Sequence, residues 1–215
     1  MGVDACLAAT VSPSARAFPS LNPPLQKDGG VSGSKFLQYL QYFHAAYLSR
    51  PKADRVLYRA IRQMQPRSLL EIGLVSAERS VRLLRFAARY TQAELRFTGI
   101  DQFEQRGAGQ PALTLKKTHQ LLKQTGAKVQ LAPGDPFMAL ARYANVLKGI
   151  DLVIVSAHQD QESLARSWFY LPRMLHERSR IFIEKPEDGA TQYVETDLTA
   201  IRKQIDAGST RRRAA

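Results

Sequence analysis

Ser68-Leu69-Leu70-Glu71-Ile72-Gly73-Leu74-Val75-Ser76-Ala77-Glu78 is the stretch that decides the fold. Its first five residues form a short, mostly apolar run of strand length, and Gly73 follows at once. A glycine just past a strand lets the backbone approach a ligand closely. Ser76 then has the side chain of a good helix N-cap, and Val81, Leu84 and Ala88 continue at helical spacing. Strand, glycine turn and helix therefore succeed one another within about twenty residues.

The same alternation repeats along the chain. Short apolar runs predict buried parallel strands at 68–72, 95–100, 128–131, 152–155 and 180–183. Helical stripes lie between them: Leu113, Leu121 and Leu122, then Met138, Leu140, Ala141 and Val146, then Leu164, Trp168, Leu171 and Leu175. Repeated strand–helix alternation implies right-handed crossovers and an α/β fold, a Rossmann-like, mostly parallel sheet with helices on both faces. Before the first strand, Phe36, Leu37, Leu40, Phe43 and Tyr47 recur at spacings of three and four, which predicts a helix with one apolar face. Pro51 ends that helix or opens a second, which Val56, Leu57, Ala60, Ile61 and Met64 carry to Pro66. A last helix is predicted over 193–205.

The expected organisation is a disordered leader over 1–33, where Ser, Pro, Gly and Ala prevail, then helices over 34–66 that pack on the core or form a lid, a core over 67–206 and a basic, disordered tail over 207–215. With 31 Lys and Arg against 19 Asp and Glu, the formal charge is +12. A charge of that size attracts nucleic acid, anionic lipid or an acidic partner and is silent about fold. The excess sits on the Arg50–Arg62 segment, on the helix bearing Arg79, Arg82, Arg85 and Arg89, and in Arg211–Arg213, and reads first as solvated helix faces. The single cysteine, Cys6, makes no internal disulfide, and no Cys/His cluster has zinc spacing. No run approaches the roughly 18 apolar residues of a membrane span. Asp4 stands where a secretory signal wants positive charge. These features predict a cytoplasmic protein that makes no use of a membrane.

In such a sheet, ligands bind beyond the carboxyl ends of the strands, near the reversal of strand order. The residues there are Glu71-Ile72-Gly73, Gly99-Ile100-Asp101, Gly134-Asp135 and, after Asp151-Leu152-Val153-Ile154-Val155, Ser156-Ala157-His158. Glu71 and Glu78 argue against a pyrophosphate, which they would repel. A carboxylate at Asp101 can accept from both hydroxyls of a ribose, and one at Asp135 from the exocyclic amine of a purine.

This series resembles the class I S-adenosylmethionine-dependent methyltransferases, closest in look to the small-molecule O-methyltransferases, over roughly residues 50–185. Leu-Pro-Arg-Met-Leu (171–175) and Ile-Phe-Ile-Glu (181–184) look like the helix and strand that close that core. The resemblance implies S-adenosylmethionine as cofactor, held by Glu71, Ile72, Gly73, Asp101, Gln102, Gly134, Asp135 and Ser156. Glu71 and Gly73 would line its methionine end, Asp101 its ribose and Asp135 its adenine. It also implies a small-molecule methyl acceptor, with His158 and Asp160 as the residues facing it. The chain departs from the pattern at Val75 and Ala77, where further glycines are usual, and at Ser156-Ala157, where a metal-binding Asp-Gly pair is frequent, so no metal is predicted. His176-Glu177-Arg178-Ser179-Arg180 replaces the usual Gly-Gly turn before the fifth strand. The alternative is a non-catalytic relative of the fold that serves as a binding or scaffold protein, contacting nucleic acid or an acidic partner through its basic helices. Trp168, on an apolar stripe, is expected in the core.

Overall fold

The computed structural model describes residues 31–107, 110–187 and 190–203. Two compact units divide at Leu37, and the sheet belongs to the unit that begins at Gln38. The expected leader and tail therefore fall outside the described residues, except that helix α1 (Val31–Phe43) starts inside the expected leader.

A six-stranded sheet has the order β3-β2-β1-β4-β5-β6. Its strands are β1 (Ser68–Ile72), β2 (Arg96–Asp101), β3 (Lys128–Pro133), β4 (Ile150–Val155), β5 (Leu175–Glu187) and β6 (Ala190–Thr196). The first five pair in parallel, and only β6 is antiparallel. Strand order reverses at β1, whose neighbours are β2 on one side and β4 on the other. The carboxyl ends of β1, β2 and β4 meet there.

Side chains alternate between two cores, which is why the strands read as unbroken apolar runs. Leu69, Phe97, Leu152 and Ile154 face one core, closed by α2 (Asp54–Met64), α3 (Ala77–Ala88) and α4 (Leu115–Lys123). Leu70, Ile72, Val153 and Val155 face the other, closed by α5 (Pro136–Tyr143), α6 (Gln161–Ser167) and α7 (Leu171–Met174). Trp168 is buried in this second core, as its stripe predicted. Ser76 caps α3 by accepting from the Arg79 amide, and Asp135 and Asp160 cap α5 and α6.

Four sequence expectations require correction. Tyr193 does not open a helix: 193–196 lies in β6, which pairs along the free edge of β5 (Ile183 opposite Val194), and the helix begins at 198 and runs to 203 among the described residues. The residues 176–180 are part of β5, where the pairing jumps from Ile150–Leu175 to Leu152–Arg180. The extra residues bulge out there. Leu40, Phe43 and Tyr47, the expected packing stripe, are each about half exposed, at 45–46%. Met138 and Val146 are likewise exposed; of their expected stripe Leu140 is fully buried, and Ala139 is buried beside it.

The bulge in β5 is built around Asp151. Its Oδ2 accepts from the amides of Arg67 and Ser68 and from the Ser68 hydroxyl, and its Oδ1 pairs with His176 Nε2 at 2.9 Å. The other ring nitrogen of His176 accepts from the Arg178 amide, so the imidazole is engaged at both ends. Burial raises the Asp151 pKa, but the bonds from His176, Arg67 and Ser68 outweigh it and hold the carboxyl below its ordinary range. A lowered folded pKa contributes stability that is present above the unfolded value and is lost as pH falls through the folded one. Asp151→Asn should therefore cost about 1–3 kcal/mol at neutral pH. It should also flatten the loss of stability below about pH 4, as read by urea unfolding at a series of pH values.

Candidate functional site

The strand tips are laced together beyond the sheet. The Gly73 amide donates to Ile100 O at 2.8 Å, Gly134 to Asp101 O at 2.9 Å, and Ser156 to Ile72 O at 2.9 Å. The sequence-predicted residues at the ends of β1 to β4 thus converge on one edge. Gly73 has φ of 80°, a left-handed conformation that a side chain rarely adopts, and it turns the chain off β1 toward α3.

Glu71 does not line that edge. It is 1% exposed and lies on the face covered by α2 and α3. Its Oε1 accepts from Arg79 Nη1 and its Oε2 from the Ser80 hydroxyl, both at 2.7 Å. The same guanidinium donates through Nε to Asp54 Oδ1 at 2.9 Å and through Nη2 to the Tyr193 hydroxyl. Burial drives the Glu71 pKa up, while Arg79 and Ser80 oppose the rise. The pKa of Arg79 is raised despite its burial, because Glu71, Tyr193 and Asp54 surround it. Glu71 therefore holds α3 to β1, with both carboxylate oxygens engaged inside the fold. Ile72, fully buried in the second core, likewise offers only backbone.

Asp101 sits at the tip of β2 as expected, 2% exposed, with four donors on its two oxygens. Oδ2 accepts from the Leu74 amide at 2.9 Å and from Arg106 Nη2 at 2.7 Å. Oδ1 accepts from the Phe103 amide at 2.8 Å and from Arg106 Nε at 2.7 Å. The Arg106 guanidinium also donates to Leu74 O and to Pro111 O. Arg106 is the residue that sequence reasoning missed. It satisfies, in a bidentate fork, the carboxylate face that a ribose diol would use. Between the two residues lies a single helical turn, Phe103–Gln105, whose buried Phe103 has φ of 49°. A bulky residue rarely adopts that conformation, and strain of this kind gathers at functional sites. Gln102, at the start of the turn, is partly exposed and free of side-chain bonds.

Asp135 is differently placed. Its Oδ1 accepts from the amides of Phe137 and Met138 and from the Ser163 hydroxyl. Burial raises its pKa, but these bonds prevail and keep the carboxyl low. Its Oδ2 makes no hydrogen bond to any described residue. At the tip of β4, the Ser156 hydroxyl and the Ala157 amide donate to Glu184 Oε2, tying β4 to β5. The His158 side chain is exposed, whereas Asp160 is occupied as the cap of α6. The side chain of Gln159 lies over Gly73: a Cβ on that glycine would stand 2.3 Å from its Nε2.

No family model matches the chain, and no curated protein does. Among solved structures, it is similar to the O-methyltransferase of Bacillus cereus in complex with SAH, at 12% identity over 86% of this chain and 80% of that one, with a TM-score of 0.46. The O-methyltransferase TomG of Streptomyces achromogenes, in complex with SAM, is 14% identical over 82% of each chain, with a TM-score of 0.47. A precorrin 8w decarboxylase of Methanobacterium thermoautotrophicum is 14% identical over 66% of this chain and 84% of that one, with a TM-score of 0.39. At such depth the strand order itself is the firmer ground for the fold. Among the described residues no helix is long and apolar enough to cross a membrane, and no group of three or more His, Cys, Asp or Glu is gathered to hold a metal.

Two substitutions probe this architecture. Arg79→Ala strands two buried carboxylates, which should cost about 3–5 kcal/mol. That corresponds to a melting temperature lower by roughly 10 °C or more in a thermal scan. Gly73→Ala should cost about 1–2 kcal/mol from its φ alone, because the Gln159 amide in its way is the end of a flexible chain.

Proposed function

We propose that the chain is a methyltransferase that binds S-adenosylmethionine at the carboxyl edge of β1, β2 and β3 and methylates an oxygen or nitrogen of a small molecule. The observation that carries this reading is the placement of Asp101 at the tip of β2, against the left-handed Gly73 turn, beside the switch in strand order. An acid there accepts from the two hydroxyls of a ribose. The free Oδ2 of Asp135, on the next strand tip, suits the exocyclic amine of an adenine. The backbone of Ile72, Gly73 and Gly134, together with Gln102 and Ser156, would complete the wall.

The residues fit such a ligand on one condition. Arg106 must leave Asp101, and Gln159 must swing off Gly73, before a ribose and an amino-acid tail can enter. Bound S-adenosylmethionine supplies an electrophilic methyl group on a sulfonium. Among the chain's own groups, His158 is exposed near the β4 tip and would take the proton from the acceptor as it is methylated. Asp160, committed to capping α6, positions the loop that carries His158. Proximity and orientation would supply most of the rate.

The Arg106–Asp101 pair also favours a second reading. A chain that no longer needs a ribose site gains stability by filling it with its own cation, and the fold then serves as a binding or scaffold module.

Calorimetric titration with S-adenosylmethionine and S-adenosylhomocysteine separates the two. On the first reading the native chain binds at micromolar concentration and Asp101→Ala does not. Arg106→Ala should then bind about tenfold more tightly, because the charge-assisted bonds that compete with the ribose are gone. That variant should also melt lower without ligand and regain part of the loss with it. Silence from the native chain and from Arg106→Ala at millimolar ligand would leave the second reading.

A further inference from the structure

On the face of the molecule that carries α2 and α3, a groove of about 500 Å³ runs between residues 40–50, which include the short π-helix His44–Leu48, and α3. Its walls carry Arg50, Arg82, Arg85, Arg89 and His44, and no acidic residue lines it. Tyr58 and Phe86, stacked edge-on at 4.9 Å between centroids, form its floor. Arg82, Arg85 and Arg89 stand three and four residues apart, which puts them on one face of α3. All three are exposed. Among the described residues, none of the four groove arginines forms an ion pair, and Glu78, one turn before Arg82, does not reach it. Arg59 and Arg62 extend the same field along α2, with Arg62 over the ring of Tyr90 at 4.7 Å.

A buried cation is expensive to leave unpaired, but an exposed row of cations around an apolar floor is a stable surface that lacks its counter-charge. We infer that this groove binds the phosphate backbone of a single-stranded nucleic acid. Charge complementarity carries the inference. Four guanidiniums and no carboxylate face a concave channel, and arginine's planar fork takes two phosphate oxygens at once and also stacks on a base. Phe43 and Tyr47, on the same segment as His44, are about half exposed and pack ring on ring at 5.2 Å. They do not line the groove itself, but exposed rings on a segment that also lines a basic channel offer unpaired bases a platform on which to stack. An acidic peptide would use the charges but not the rings, and a flat anionic membrane would not enter the channel. The groove lies on the helical face of the sheet, apart from the strand tips, so its role is independent of methyl transfer.

The test is fluorescence anisotropy of the full chain with labelled twelve-nucleotide RNA and DNA single strands, at several salt concentrations. Four arginines on phosphates predict a slope of log affinity against log salt of about −3. Arg82→Gln/Arg85→Gln/Arg89→Gln should weaken binding at least tenfold and make the slope shallower, at about −1. A charge-matched control on the opposite face, Arg142→Gln/Arg166→Gln/Arg173→Gln, should bind nearly as the native chain does, as should Arg211→Gln/Arg212→Gln/Arg213→Gln. Thermal melts confirm that these surface variants fold. Equal losses from the groove and control variants would overturn the inference by assigning binding to net charge alone. Tighter binding of polyglutamate or of phosphatidylserine vesicles than of the strands would overturn it as well, by assigning the groove to an acidic protein or a membrane.

Discussion

Arg79 holds four segments of the chain with one guanidinium. It reaches Glu71 on the central strand, Asp54 at the start of α2 and Tyr193 on the edge strand, from its own place in the first turn of α3. Glu71 occupies a position where the alternation of β1 would put an aliphatic side chain against the helices. A buried acid there is tolerable only because a buried cation and a hydroxyl meet both of its oxygens. Such a cluster is less forgiving than an apolar contact, since any slip in the register of β1 or the rotation of α3 leaves charge unpaired in the core. The start of α3, and with it the Gly73–Ser76 turn, is fixed relative to the sheet by this constraint. β6 is tied to the same point through its tyrosine.

The carboxyl edge of the sheet repeats the theme at smaller scale. Asp101 is satisfied by two backbone amides and an arginine, and Arg106 in turn staples the turns after β1 and β2 to Pro111. The edge is thus organised electrostatically before any ligand arrives. On the proposed reading, a ligand with two hydroxyls would compete with Arg106 for the same oxygens, and its occupancy would be coupled to the position of the loop that carries Arg106. Asp135, with one oxygen spent on the α5 cap and the other free, has no such internal competitor. The two acids looked alike in the sequence, yet they stand in opposite states of readiness.

Much of the architecture was legible in order along the chain. Five parallel strands were legible because a strand buried on both faces must be apolar throughout, and β1 was located to the residue. The N-cap at Ser76 follows from local hydrogen bonding that needs no tertiary information. The errors arise where distant partners decide. Tyr193 and Val194 fit a helical stripe on spacing alone, but the open edge of β5 offers a ladder that a helix would leave unused. The turn expected at 176–180 is a bulge inside a strand because Asp151 and His176 draw it back to β4. Leu40, Phe43 and Tyr47 have the period of a packed helix face, and no period reveals whether a partner is present.

The chain's own pattern was enough for the order of the first five strands with the helices between them, their parallel pairing and the acids that end them, because those follow from periodicity and local chain chemistry. Only the tertiary structure decided which of those acids are free. Glu71 and Asp101 are neutralised by Arg79 and Arg106, cations on the turns that follow their strands, and whether such a cation meets an acid depends on side-chain direction across the fold. Spacing along a chain does not encode that direction, since the oxygens that accept from a guanidinium are set by how strand, turn and helix pack in three dimensions. The same reason separates the arginines of α3. Arg79 faces inward and binds the core together, while Arg82, Arg85 and Arg89 face outward and line a groove.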